Sequence, residues 1–190
     1  MNETEYKFLV TKNKFYSILS GIKSRYPEAR ISEKIQINYY YDTDDQYLMS
    51  NHTTLRIRQI ENKLTLQMKE SMPAFKDFSS SRETCRDIKC LMPEITLKEG
   101  RYAWIPFALQ GSLTTKRISI SPEKGLSIDF DMNCYLGICD FEIEMEFKTD
   151  CEKFTADLVD DMKLMTFKNQ SGGKAYRFFA AKDKLLGGRN

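Results

Sequence analysis

Phe141-Glu142-Ile143-Glu144-Met145-Glu146-Phe147 alternates without a break between apolar and acidic residues. A period of two puts successive side chains on opposite faces of a β-strand. Glu142, Glu144 and Glu146 therefore share one face, and Phe141, Ile143, Met145 and Phe147 share the other. Glu3-Thr4-Glu5-Tyr6-Lys7, at the start of the chain, repeats the design: Glu3, Glu5 and Lys7 project together. Two carboxylate ladders in one small chain make a poor core and suggest a site for a divalent metal.

The same alternation recurs outward from these stretches. Strands are expected over residues 3–10, 34–42, 82–88, 113–121, 126–132 and 140–148. Residues 55–58 and 63–69 read as a hairpin turning at Glu61-Asn62, and 42–45 as a turn. Thr11 caps a short helix with an apolar stripe of Phe15, Ile18, Leu19 and Ile22. The polar stretch 70–81 reads as a loop, and 89–110 as helix plus loop. Thr149-Asp150-Cys151-Glu152 offers a capping box for a helix with Phe154, Leu158, Met162 and Met165 on its apolar stripe. A last short helix spans about residues 174–186. No repeat or linker divides the 190 residues, which read as one domain over 1–190.

Net charge is only +2, so no global electrostatic signal points to nucleic acid or an anionic membrane as partner. No apolar run approaches the roughly 20 residues of a membrane span, and MNETEYKF lacks the layout of a signal peptide. The expected location is cytoplasmic. Cys85, Cys90, Cys134, Cys139 and Cys151 are odd in number and lack CxxC spacing, so they read as reduced thiols rather than a disulfide framework or zinc site. His52, the only histidine, reads as a surface residue; a three-histidine metal site is impossible.

Sorted by parity, the strands have one apolar face: Tyr6 and Phe8, Leu55 and Ile57, Leu64 and Leu66, Ile128 and Phe130, Ile143 and Met145. The other face carries Glu3, Glu5 and Lys7; Arg56 and Arg58; Gln67 and Lys69; Arg117; Asp129 and Asp131; and the three glutamates of 142–146. An antiparallel sheet with one wet side would explain any single strand. Segregation of sign is what a solvent face does not need, because a surface chosen for solubility mixes charges across strands. Carboxylate rows suit hard divalent cations, and arginine rows suit phosphate oxygens. Together they describe a metal–polyphosphate site, which would line a charged bore if the sheet closes into a barrel.

In this order the residues resemble the CYTH superfamily, the triphosphate tunnel metalloenzymes, and most of all its compact bacterial single-domain branch. The resemblance begins with the ExExK pattern of Glu3, Glu5 and Lys7 and continues through Asn38-Tyr39-Tyr40-Tyr41-Asp42-Thr43, Leu55-Arg56-Ile57-Arg58, Lys69 and Arg82-Glu83. It then takes in Thr115-Lys116-Arg117, the 131–136 block and the 142–146 ladder, and it closes on Ser171, Lys174, Arg177 and Phe178. It implies an α+β fold: a closed or nearly closed eight-stranded antiparallel β-barrel, or tunnel, with helices packed outside. By the same resemblance Glu3, Glu5, Glu142 and Glu144 would hold Mg²⁺ or Mn²⁺, with Glu146, Glu83, Asp129 and Asp131 in support. Lys7, Arg56, Arg58, Lys69, Arg117, Lys174 and Arg177 would bind phosphate oxygens. Tyr39 departs from the family, which often has histidine there.

The expected reaction is metal-dependent hydrolysis of a triphosphate phosphoanhydride, foremost inorganic triphosphate, releasing orthophosphate. Glu144 or Glu146 would take the proton of the attacking water, and Lys7 would stabilise charge on the phosphate. Two alternatives stand beside it: a class IV-type adenylate cyclase making cyclic AMP and pyrophosphate from ATP, and a non-enzymatic module that grips polyphosphate. No Walker A loop is present. The chain is expected to act as a monomer or homodimer.

Overall fold

The alternating segments become strands that pair in a ring. The computed structural model describes residues 2–71, 79–167 and 172–187, with only the backbone of Asn2, Glu3, Ser79 and Ser80. Its strands are β1 (Asn2–Val10), β2 (Arg30–Asp42), β3 (Thr53–Ile60), β4 (Lys63–Ser71), β5 (Ser79–Ile88), β6 (Glu94–Thr96), β7 (Pro106–Glu123), β8 (Leu126–Tyr135) and β9 (Ile138–Phe147). The order β2-β3-β4-β5-β1-β9-β8-β7 is closed by antiparallel pairing of β7 with β2. Eight strands thus form the barrel, and β6 adds to the outer end of β7. Closure leaves these eight strands without a free edge.

Parity decides what lies inside. The apolar set faces out and is covered by helices α1 (Lys12–Arg25) and α3 (Glu152–Asp161). Phe15, Ile18, Leu19 and Ile22 of α1 are buried as the stripe predicts, and Thr11 Oγ1 accepts the Lys14 amide at 3.3 Å. Tyr6 stacks on Phe8 and Phe147, while Phe15 meets Phe130 edge-on. This outer core leaves the charged set facing inward.

Helix α4 (Lys174–Leu185) behaves differently from α1 and α3. Phe178 and Phe179 pack on Tyr40, Leu113 and Tyr135, which stand on the inward parity of β2, β7 and β8. The helix therefore lies across one mouth of the barrel rather than along its side. A bulge where β2 meets β7 lets it come close: a Cβ on Gly111 (φ +139°) would sit 2.7 Å from the Phe178 ring. That position needs glycine.

Several expectations are corrected. Residues 89–110 hold no helix among the described residues. They form β6, a turn-rich excursion and the start of β7, and their Ile95, Tyr102 and Phe107 seal the outer apolar patch of Tyr41, Leu55, Ile57 and Leu66. Strand pairing extends into the expected loop at 70–81 from both ends, and the remainder of that loop, with Ser171, lies outside the described residues. Thr149 begins a 3₁₀ turn instead of capping α3, whose N-cap is Cys151 with no side-chain hydrogen bond. The buried face of α3 is Thr155, Leu158 and Val159, and Phe154 and Met165 are exposed. Another short helix, α2 (Tyr47–Ser50), follows the 42–45 turn because Asp42 accepts the amides of Thr43, Leu48 and Met49 at 2.8–3.0 Å. No helix among the described residues is long and apolar enough to cross a membrane.

Candidate active site

Strand register stacks the inward carboxylates. Asp131 stands opposite Glu142, Asp129 opposite Glu144, and Lys7 of β1 opposite Glu144. Like charges directly opposed across strands repel. Arg117 of β7, opposite Asp131, answers that repulsion with a fork. Its Nε reaches Asp131 Oδ1 at 2.7 Å, its Nη2 reaches Asp131 Oδ2 and Glu144 Oε2 at 2.5 Å each, and its Nη1 donates to Asp129.

Lys174 completes the cluster. Its ammonium lies 2.8 Å from Asp131, 2.7 Å from Glu142 and 2.9 Å from Glu144. A lysine in the first turn of a helix opposes the helix dipole, so the carboxylates, not α4, account for its position. One turn on, Arg177 pairs with Asp140 at 2.9 Å and Glu142 at 3.0 Å. Asp140 is held in turn by Asn133 Nδ2 and the Tyr135 hydroxyl.

Burial and charge compete at each of these groups. Burial alone would raise the Glu144 carboxyl, but Lys174, Lys7 and Arg117 hold it well below the usual carboxylate range. Glu142 follows the same logic: burial raises it, and Lys174 and Arg177 bring it below normal. Burial would lower Lys7 and Lys174, yet the surrounding carboxylates hold both ammonium groups above their ordinary value.

The oxygens of Asp131, Glu142 and Glu144 all lie within 4.8 Å of one another and are buried. Three converging carboxylate oxygens are a donor set of the kind Mg²⁺ and Mn²⁺ take, and both the spacing and the hard-oxygen chemistry fit. The Lys174 ammonium, shared among the same three residues, shows that the position favours a cation.

The far side of the bore is built of other material. Arg56 donates from Nε to Gln67 at 2.8 Å and pairs with Glu83 at 3.4 Å. Arg58 donates to Asn38 Oδ1 at 2.9 Å, and among the described residues no carboxylate lies within ion-pair distance of it. Burial, then the charges of Arg56 and Arg117, push its guanidinium down to about 9, still charged at neutral pH. On the neighbouring β2, Gln36 Nε2, Asn38 Nδ2 and the Tyr40 hydroxyl are buried without a hydrogen-bond partner, as is Ser81 Oγ on β5. Burial, only partly offset by Arg56 and Lys174, keeps the Tyr40 hydroxyl protonated and able to donate. Unmet buried donors are rare, and four lie in this one bore.

The structure thus brings Lys7, Asp129, Asp131, Glu142, Glu144, Arg117, Lys174 and Arg177 into one network. Glu5 joins it through Lys7 at 2.8 Å and stands 3.7 Å from Lys69. Glu83 pairs with Arg56 and faces Lys69 across the strand pair, and Glu146 is exposed on the same face. The Glu3 side chain lies outside the described residues. The sequence analysis missed Asp140, Asn38, Gln36 and Tyr40. Their inward parity was legible, but Asn38, Gln36 and Tyr40 are uncharged and give no signal in a search for charge rows, and Asp140 stands at the turn end of its strand, apart from the 142–146 ladder.

Comparison with known proteins agrees with this geometry. The CYTH domain family matches residues 1–178. This chain belongs to the CYTH family. A Bacillus subtilis protein named "Putative triphosphatase YjbK" is 33% identical over 155 residues, covering 76% of each chain. A Bacillus halodurans CYTH-like structure, described as a "putative adenylate cyclase", is 26% identical with a TM-score of 0.69 and covers 93% of this chain and 97% of its own. HpAC1 from Hippeastrum, described as a "putative adenylyl cyclase" that reveals a dominant triphosphatase activity, shares the fold at TM-score 0.71 and 19% identity, covering 94% of this chain and 95% of its own.

Proposed function

We propose that the bore hydrolyses the terminal phosphoanhydride of a triphosphate, inorganic triphosphate foremost, with Mg²⁺ or Mn²⁺, and releases orthophosphate. The observation that carries this reading is the under-neutralised wall around Arg58, with its unpartnered neutral donors, facing a buried carboxylate trio across one bore. A triphosphate bears about four negative charges near neutral pH. Such a chain complements the first wall directly and the second through a metal.

Arg56, Arg58 and Lys69 bind phosphate oxygens, and Asn38 and Tyr40 add uncharged donors. Asp131, Glu142 and Glu144 hold the divalent cation, with Glu5, Asp129 and Glu83 in support. Arg117 and Arg177 keep the carboxylates in place, a duty that leaves them less free for phosphate than Arg58. Lys174 and Lys7, held on the carboxylate wall, stabilise charge on the transferring phosphate. When bound, the metal offsets charge on phosphate oxygens and supplies an activated water. The lowered pKa of Glu144 suits a ligand better than a proton acceptor, so the proton of the attacking water falls to Glu146.

The experiment is phosphate release from inorganic triphosphate, ATP and thiamine triphosphate, each with Mg²⁺ and with Mn²⁺. Release from inorganic triphosphate, absent in Glu142→Gln, supports the reading. The description of the B. halodurans relative favours one rival, conversion of ATP to cyclic AMP and pyrophosphate. Cyclic AMP as the main product would replace the proposal with that rival. Tight triphosphate binding with no release under either metal would make the protein a binding module.

A further inference from the structure

The turn between β8 and β9 carries a feature the hydrolytic site does not use. Leu136 (φ 46°) and Gly137 (φ 79°) both adopt left-handed backbone, which makes a two-residue primed turn. Tyr135 and Ile138 flank it as the first strand pair, and Cys134 faces Cys139 as the next. In such a hairpin the flanking pair exchanges hydrogen bonds. The next pair is then of the non-hydrogen-bonded kind, whose Cα atoms approach to about 4.5 Å. That spacing lies within the roughly 4.4–6.8 Å that a disulfide spans. The two sulfurs are 3.6 Å apart, and both thiols are exposed on the outer face of the hairpin.

We propose that Cys134 and Cys139 are a reversible dithiol–disulfide pair, oxidised by a small-molecule disulfide, which staples the hairpin where it grips α4. The coupling to α4 is direct. Asn133, Tyr135 and Asp140 alternate with the two cysteines on the inner face, and Asp140 holds Arg177 at 2.9 Å. A bridge between the cysteines limits opening of the hairpin that anchors this helix and, with it, Lys174.

The chemistry balances as thiol–disulfide exchange. The Cys134 thiolate attacks one sulfur of the oxidant, whose S–S bond breaks to release the first small thiol. Burial and the neighbouring Cys134 keep the Cys139 thiol protonated at first. Cys139 then gives its proton to solvent, attacks Cys134 Sγ and expels the second small thiol. Two protein S–H groups become one S–S bond, and the oxidant is reduced to two thiols. Cys85 and Cys90 are also exposed, but neither faces another cysteine across a strand pair, and Cys151 is buried.

The test uses the whole protein with oxidised glutathione, followed by alkylation and peptide mapping. Free thiols are expected to fall from five to three, with one peptide linking Cys134 to Cys139 and a mass loss of about 2 Da reversed by dithiothreitol. Cys134→Ser and Cys139→Ser should each retain a glutathione adduct of about 305 Da on the remaining cysteine, because nothing resolves it. The bridged form should unfold a few degrees above the reduced form, roughly as expected for a cross-link that constrains the unfolded chain, and the double serine variant should show no such response. Stable adducts on the wild-type pair, a bridge to any other cysteine, or an unfolding midpoint indifferent to the bridge would each overturn the proposal. None of these readouts depends on phosphate hydrolysis.

Discussion

The two walls of the bore differ in how completely the chain answers its own charges. On β1, β8 and β9, Asp131, Glu142 and Glu144 are each met by Lys174 within 3 Å, and Arg117 adds a fork to Asp129, Asp131 and Glu144. On β2 and β3, Arg58 has only a neutral amide, and the donors of Gln36, Asn38 and Tyr40 have nothing. A buried charge needs a partner before the chain can fold around it. The carboxylate wall finds its partners within the chain; on the arginine wall Arg56 has Glu83 at 3.4 Å, but Arg58 has no carboxylate within ion-pair distance among the described residues. The phosphate-binding role proposed for Arg58 rests on that contrast.

The largest expected effect is on turnover. Glu144→Gln removes charge from the trio at almost constant volume, and phosphate release should fall by about 10²–10³-fold with the fold intact. A rate within a few-fold of the parent at saturating Mn²⁺ would dissolve the distinction between the walls.

Stability should separate them next. Arg117→Met removes a cation shared by three buried carboxylates, leaving Asp131 and Glu144 to Lys174 and Asp129 without a cation among the described residues, and urea denaturation should show a loss of about 3–5 kcal/mol. Arg58→Met removes a cation with no acidic partner, so it should be neutral or slightly stabilising while weakening triphosphate binding, in the way functional sites trade stability for activity. Equal destabilisation by the two substitutions would mean that Arg58 has a structural partner after all.

Acidity probes the carboxylate wall alone. Glu142 and Glu144 have depressed folded values, so their stabilising contribution is present above the ordinary carboxylate value of about 4.3 and is lost as pH falls below it. Lys7 and Lys174 are raised, so their contribution is full below about 10.4 and is lost only as pH rises through their folded values. The thermal midpoint should therefore form a plateau between these limits and fall on the acid side. A midpoint still flat at pH 3 would contradict the network.

The smallest effect belongs to a single neutral donor. Tyr40→Phe should leave the unfolding midpoint unchanged and cost about 1 kcal/mol of triphosphate affinity, roughly fivefold by calorimetry. Unchanged affinity would mean that the hydroxyl does not meet the ligand.

Much of this was legible beforehand because a strand has a period of two. Parity alone separated Tyr6, Phe8, Ile143 and Met145, which form the outer core, from Glu5, Lys7, Glu142 and Glu144, which face in. Helical stripes were less secure. The α1 stripe held, but the one assigned to the helix following Thr149 held only in Leu158 and Met162, which pack on the core, while Phe154 and Met165 face solvent. The stretch 89–110, read as helix plus loop, holds no helix among the described residues, and its apolar residues follow no period. They are spaced to seal a patch formed by distant strands.

The amino-acid order by itself determined which side chains share a face, and hence that two acidic ladders and an arginine row would lie on the inner side of any closed sheet. Only the tertiary structure decided who neutralises whom. Register sets Arg117 against Asp131, and the approach of α4 over Gly111 delivers Lys174 to three carboxylates from β8 and β9. Alternation is a local property of consecutive residues. Charge compensation depends on distances between segments far apart in the chain, and those are fixed only when the barrel closes.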